Sequence, residues 1–349
     1  MSVPSGMRCY FILLCLLWCA AGRTQDTTDT RPLVVASASI FADMARNLGG
    51  GEVRVESVVP IGGDPHTFEP TPASARLVAA ADLILVNGLT FEGWMNELIA
   101  NSGTRARTVV VTEGIETIAS EEYANASDPH AWMTARNGQT YVDNIRDALT
   151  ELDPFNREVY EFNAGVYRQQ LEELDREIFD QIERIPESQR VLITSHDAFR
   201  YFGRYYGIRV EAALGTSTDA DVQTDDVARL TRIIRETAVP AIFVESTINP
   251  KLIRQIAADT EVVIGGSLYA DSLGPEGSPA GTYEGMLRYN VRTIVEALTG
   301  KARGADEEAA PAPLQQWLLL GVILAMMIGA FAYVVVRINR AHGRSEGAR

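Results

Sequence analysis

PFNREVYEFNAGVYRQQLEELDREIFDQIERIP, residues Pro154–Pro186, sets the architecture of the whole chain. Asp153 can cap its start, and Pro154 suits a first helical position, where a missing N–H has no partner to lose. Apolar side chains recur at three- and four-residue steps: Phe155, Val159, Phe162, Val166 with Tyr167, Leu171, Leu174, Ile178, Ile182 and Ile185. That spacing predicts an amphipathic helix with Glu, Arg and Gln on its other face, stopped by Pro186. Roughly 30 residues at ~1.5 Å each make a rod of about 45 Å, longer than the usual globular helix. A rod of that length most simply spans two lobes. His66 and His130 precede it, and His196 and Asp271 follow it.

The chain has 349 residues, enough for two domains with cores of their own. Residues 1–23 read as a secretory signal: Arg8, an apolar run Tyr10–Ala21 too short to span a bilayer, then small residues. All three cysteines (Cys9, Cys15, Cys19) lie inside it, and Trp18 argues against lipid attachment at Cys19. The exported part therefore has neither disulfides nor thiolate metal sites, and any metal must be held by His and carboxylates. Leu314–Val336 is a run of 23 residues without a charge. As a helix it is about 34 Å long, sufficient to cross a membrane. Arg337, Arg340, Arg344 and Arg349 follow, which places a tail, 337–349, in the cytoplasm. An acidic Pro/Ala tether, 301–313, precedes the span. Setting aside Arg8, Arg23, the tail arginines and Glu346 leaves 25 basic against 45 acidic residues. Nucleic acid is a poor partner for such a surface, and cations are a good one.

Before the rod, residues 32–152 alternate apolar runs and helical patterns. Strands are expected at Leu33–Ser37, Val53–Val59, Leu83–Asn87 and Thr108–Thr112, with helices at Ile40–Leu48, Pro72–Ala80, Phe91–Ile99 and Thr140–Leu152. After the linking helix, 153–186, residues 187–300 repeat the scheme. The strands there are Val191–Thr194, Val210–Ala213, Ala241–Glu245 and Val262–Gly265, and the helices Ala198–Tyr206, Asp225–Thr237, Pro250–Ala258 and Tyr283–Leu298. Near-continuous apolar strands alternating with helices predict an α/β fold: two lobes, each with a parallel sheet flanked by helices. Such sheets bind ligands beyond the carboxyl ends of their strands, where His66, His196 and Asp271 fall.

Three of the four histidines open distinctive phrases: Asp64-Pro65-His66-Thr67-Phe68-Glu69-Pro70, Asp128-Pro129-His130-Ala131-Trp132-Met133 and Ser195-His196-Asp197-Ala198-Phe199. Proline restrains itself and the residue before it, which holds an imidazole out from a rigid turn. The preceding aspartate can orient the ring. Three imidazoles and one carboxylate suit zinc and tolerate manganese. Glu245, at a strand end on the same edge, fits either a supporting role or an ordinary strand-end carboxylate. Phe199, Tyr201, Phe202, Tyr205 and Tyr206 read as packing, and Trp132 and Phe68 as candidates for a dry shell around the histidines.

These phrases, the long helix and Tyr269-Ala270-Asp271-Ser272-Leu273-Gly274 resemble the zinc/manganese-binding receptors of bacterial ABC importers, the cluster A-I solute-binding proteins. The resemblance covers about Pro32–Leu298. It implies a rigid helix joining two lobes and Zn²⁺ or Mn²⁺ held between them by His66, His130, His196 and Asp271. It also implies an ABC permease with its ATPase as partners. Some members carry glutamate where His196 stands and lean toward manganese. The chain departs from the family in lacking a His-rich loop across Ile115–Ser127, and in its C-terminal span.

A hydrolase is disfavoured, since neither His-Glu-x-x-His nor Gly-x-Ser-x-Gly occurs. No phosphate loop is present either, so energy must come from a separate ATPase. The expectation is a monomeric, extracytoplasmic receptor, not an enzyme, anchored by one C-terminal helix. A surface adhesin with a structural metal site is the alternative, without repeats or an exposed apolar stripe to support it.

Overall fold

The computed structural model describes residues 29–120, 126–218 and 223–300. The signal (1–23), the tether (301–313), the span (Leu314–Val336) and the tail (337–349) lie outside them. No helix among the described residues is long and apolar enough to cross a membrane.

In the N-terminal half, strands β1 (Leu33–Ala36), β2 (Arg54–Ser57), β3 (Leu83–Val86) and β4 (Arg107–Val110) form one parallel sheet in the order β2-β1-β3-β4. The two middle strands, LVVA and LILV, are buried at every position, as continuous apolar runs covered on both faces must be. Helices α1 (Ser39–Gly49), α2 (Pro72–Ala79) and α3 (Met95–Ser102) connect the strands, and α4 (Ala135–Leu152) follows the sheet. Thr71 begins α2 with a capping box to Ser74, and Thr134 caps α4 by accepting from the Asn137 N–H. Helix α4 begins five residues earlier than its apolar pattern suggests, because that cap and the turn after His130 extend it back.

The central element is a 26-residue helix, α5 (Arg157–Ile182), about 39 Å long at ~1.5 Å per residue. It is shorter than the expected rod at both ends. Pro154–Asn156 form a separate 3-10 turn, and Asp153 gives its carboxylate to the Asn156 amide (2.7 Å) and the Tyr160 hydroxyl (2.9 Å). Its chemically larger correction concerns the apolar face. Tyr160, Ala164, Tyr167, Leu171, Leu174, Ile178 and Ile182 are buried, whereas Phe155 is 95% exposed, Phe162 71%, Val166 43% and Val159 37%. The four exposed side chains form a stripe of their own on the first half of the helix, where the sequence reading places the core. The N-terminal half of α5 packs on α1 and α4, with Asn163 donating to the Leu48 carbonyl (2.9 Å) and Arg168 paired to Asp143 (2.6 Å).

In the C-terminal half, β5 (Val191–Thr194) pairs with β6 (Arg209–Ala212), and β7 (Ala241–Glu245) with β8 (Val263–Leu268), all parallel. The single sheet expected there is two ladders among the described residues. They are joined by side chains, with Ile193, Ile242 and Val244 in one core, rather than by hydrogen bonds between β5 and β7. Helices α6 (Arg200–Tyr206), α7 (Thr224–Thr237), α8 (Lys251–Thr260) and α9 (Tyr283–Leu298) complete this half. The C-terminal part of α5 meets α6 and α9, where Asp175 accepts from Tyr205 (3.0 Å) and Tyr206 (2.7 Å) and Glu177 pairs with Arg288. One apolar cluster runs from β1 through α5 to α9.

Direct bonds also tie the halves together. Ser272 Oγ accepts from the Gly62 N–H (2.7 Å), Ser39 Oγ from the Leu273 N–H (3.1 Å), and Asp43 from the Tyr283 N–H (2.8 Å). The Tyr283 hydroxyl donates to the Trp132 carbonyl (2.6 Å), and a Cβ added at Gly138 would stand 2.7 Å from that hydroxyl. Glycine is what lets α9 approach α4 so closely.

Candidate metal centre

Each of the two Asp-Pro-His phrases folds into the same local turn. Asp64 Oδ1 accepts the His66 N–H and Asp128 Oδ1 accepts the His130 N–H, both at 2.9 Å. Aspartate bonding its own backbone two residues on is a turn that needs no help from the rest of the fold. His196 lies two residues past β5, and Asp271 three past β8, so the carboxyl ends of two parallel strands carry them. His130 leads directly into the 3-10 turn Ala131–Met133 ahead of α4.

The structure brings His66, His130, His196 and Asp271 together, with one ligand atom from each lying within 4.8 Å of all the others. His130 Nε2 is 3.2 Å from His66 Nε2 and 3.3 Å from His196 Nε2. Asp271 oxygens lie 3.2 Å from His196 Nε2, 3.4 Å from His130 Nε2 and 3.9 Å from His66 Nε2. Ligands about 2.1 Å from a zinc ion stand about 3.4 Å apart along a tetrahedral edge, so the spacing fits one small cation.

The outward nitrogens explain why the lone pairs face one another. Asp128 Oδ1 lies 2.8 Å from His130 Nδ1, and Glu245 Oε2 lies 2.6 Å from His196 Nδ1. A proton held at Nδ1 leaves Nε2 as a lone pair pointing inward. With the protons so placed, neither oxygen of the fully buried Asp271 has a hydrogen-bond donor among the described residues. A buried carboxylate facing three lone pairs is costly unless a cation sits among them.

Without such an ion, protons take its part. Burial alone would push His130 down, but Asp128 and Asp271 outweigh it and raise the imidazole to about 9. His196 behaves alike: burial opposes its charge, while Glu245 and Asp271 hold its pKa well above the usual range. Burial works to raise Asp271, yet His196, His130 and His66 keep it well below the ordinary carboxylate value.

Several supporting residues differ from the sequence reading. Glu245 is buried and holds His196 twice, since its Oε1 also accepts the His196 N–H at 2.8 Å. Of the paired aspartates, only Asp128 reaches a ring nitrogen; Asp64 turns its Oδ2 to the Thr218 hydroxyl (2.6 Å). Trp132 stacks edge-on to His130 with centroids 5.2 Å apart, but Phe68 packs on Trp94 at 5.0 Å, in a different core. Phe91 takes the place expected of Phe68, 4.9 Å from the His66 ring. Tyr201 is more than packing: its hydroxyl accepts from the Ile118 N–H (3.1 Å) and donates to the Asp128 carbonyl (2.9 Å).

Sequence reasoning missed the loop after β3. Gly88, Leu89 and Thr90 have φ of +76°, +54° and +66° in succession, an uncommon backbone for the last two. Glu92 secures it, accepting from Ser37 Oγ (2.7 Å), the Asn87 N–H (2.5 Å) and the Gly88 N–H (3.2 Å). Burial raises the Glu92 carboxyl to about 7. Asn87 then donates to the Pro129 carbonyl (3.0 Å), which steadies the His130 turn. The Asn-Gly pair at 87–88 is the one signal that marks this loop in advance.

Residues 34–297 match the family model described as zinc-uptake complex component A, periplasmic. The manganese-binding lipoprotein MntA of Halalkalibacterium halodurans is 37% identical over 294 residues, 83% of this chain and 97% of that protein. The manganese ABC transporter substrate-binding lipoprotein PsaA of Streptococcus anginosus is 32% identical over 83% of this chain and 96% of its own length. Among solved structures, the periplasmic zinc-binding protein TroA of Treponema pallidum superposes with TM-score 0.74 at 34% identity, over 78% of this chain and all of that one. An Mn-bound periplasmic metal-binding protein, an S38A mutant from Candidatus Liberibacter asiaticus, gives TM-score 0.72 at 32% identity over 77% of this chain and all of that one.

Proposed function

The chain belongs to the periplasmic zinc-uptake component A family, and on that premise we propose that it captures Zn²⁺ or Mn²⁺ outside the cytoplasmic membrane and delivers it to an ABC permease. The observation that carries this reading is the closed set of three Nε2 lone pairs and the Asp271 carboxylate at tetrahedral spacing. His66, His130, His196 and Asp271 are the proposed ligands. Four protein ligands leave no position for a reactive water, which favours a receptor over a catalytic centre. The family is one of solute-binding receptors, and the relatives' names describe metal transport, so the adhesin alternative is not favoured. The cation is cargo, and the energy for its import comes from the ATPase of the partner transporter.

We read 32–152 and 187–300 as the two metal-holding lobes, with 153–186 as the segment between them. Leu314–Val336, with its arginines on one side, is proposed as the anchor, in contrast to the relatives named as lipoproteins. Ending the chain at Ala310 should release the protein from membranes while a Cys19→Ser variant stays bound; the reverse result would assign anchoring to a lipid on Cys19.

The test of function is metal analysis of residues 24–310 purified without chelator, then titrated with Zn²⁺ against Mn²⁺. One tightly held equivalent, lost in the His66→Ala and His196→Ala proteins, is the expected result. Metal that stays bound without those histidines would refute the ligand assignment.

A further inference from the structure

A cavity of about 340 Å³ opens beside the metal centre, between the two halves. Its polar walls are Asp64 and Thr67 from one half and Ser195, Thr218, Thr247 and Asn249 from the other. Exposure grades along it: Thr67 and Asn249 are exposed, Asp64, Thr218 and Thr247 are half-buried, and Ser195 is 3% exposed. Ser195 Oγ and Thr247 Oγ1 are shielded from solvent and have no hydrogen-bond partner among the described residues. Hydroxyls in that condition face the cavity with unused lone pairs. Asp64 also has acceptor capacity left, since its two oxygens take one bond each, from the His66 N–H and from Thr218.

The cavity's position relates it to the four ligands. Its inner wall, Ser195, is the residue before His196, and its Asp64–Thr67 wall carries His66. The His66 side chain retains 3% exposure, whereas those of His130, His196 and Asp271 have 0%. The least covered ligand is therefore the one on the cavity's own wall. A cation with six waters needs about 180 Å³ at ~30 Å³ per water, which the cavity can hold. Its donors are oxygens, suited to an ion still carrying water, whereas the centre itself offers mainly imidazole nitrogen.

We propose that this cavity is an antechamber, a second and transient site where the hydrated divalent cation is held and shed of water before it passes to His66 and the centre. Asp64 supplies the charge, and Ser195, Thr218 and Thr247 supply neutral oxygens that replace departing waters one at a time. This rests on the receptor reading above and adds the route by which that site is filled and emptied.

A site on the route lowers the barrier in both directions, so its loss slows association and dissociation together and leaves the equilibrium affinity in place. A residue that merely supports the centre does the opposite, raising dissociation alone. The experiment is stopped-flow mixing of the full-length chain with ZnCl₂ and with MnCl₂, read by the fluorescence of Trp132 against the His130 ring, beside an equilibrium titration. In the Ser195→Ala/Thr247→Val double variant both rates should fall about fivefold, the factor one lost oxygen contact carries, with unchanged Kd. Asp64→Asn, which keeps an oxygen for the His66 N–H, should slow association about tenfold through loss of the cavity's charge. Wild-type rates in both variants would overturn the antechamber, as would a double variant weakened by faster dissociation alone. A wild-type chain that binds neither ion would instead overturn the receptor reading.

Discussion

Glu245 and Asp128 matter because an imidazole has two nitrogens and only one can face the metal. Each carboxylate holds a ring at Nδ1, at 2.6 Å for His196 and 2.8 Å for His130, and so decides which nitrogen is free. Glu245→Gln should lower metal affinity about 10–100-fold, the usual cost of losing such a partner, in a competition titration. His342→Ala, outside the described residues, should leave affinity unchanged. The pH dependence follows from the same carboxylates. Metal binds the deprotonated ring, so a proton held more tightly competes over a higher range. Free imidazole would place the loss of affinity near pH ~6.5. With His130 raised to about 9 and His196 raised further, affinity should instead climb throughout pH 6–9. A titration that is flat above pH 7 would contradict this. The histidines and Asp271 were legible in the sequence, since proline and aspartate mark the turns. Phe91 and Glu92 were not: nothing local distinguishes a phenylalanine that will lie against His66 from one that fills a core.

The long helix shows how a periodic pattern can be right in kind and wrong in face. Phe155, Val159, Phe162 and Val166 keep three- and four-residue steps, and so do Tyr160, Ala164 and Tyr167. Adjacent residues sit ~100° apart on a helix, so the two series define neighbouring faces of which only one is covered. Helices α1 and α4 select the second. Leu171→Ala, at 0% exposure, should destabilise the protein by about 2–5 kcal/mol in urea unfolding. Phe162→Ala, at 71% exposure, should change it by less than about 0.5 kcal/mol. Equal losses would mean that the exposed stripe is covered in solution. Gly138→Ala tests the neighbouring contact: the Tyr283 hydroxyl must give way, so the variant should lose stability although alanine favours helices.

At the scale of the whole molecule, the metal and the fold are linked, because ligands from both halves meet around one ion. An ion that binds only the folded state at a thousand times its Kd adds about 4.1 kcal/mol. Thermal unfolding should therefore shift upward with Zn²⁺ or Mn²⁺ in the wild type and not in His130→Ala. The halves should move little when metal arrives, since α5 packs on both and the Asp43–Tyr283 and Ser272–Gly62 bonds already join them. Small-angle scattering with and without metal should give nearly superimposable curves. Read alone, the chain specified alternating strands and helices, the turns that present the histidines, and a thiol-free ligand set. Those features depend on period, proline and local hydrogen bonds, all short in range. Which face of α5 is buried, whether β5 and β7 share a ladder, where Glu245 points and what lines the cavity beside His196 depend on elements far apart in sequence. Their positions follow from how apolar surface is covered in three dimensions, and no local pattern encodes that.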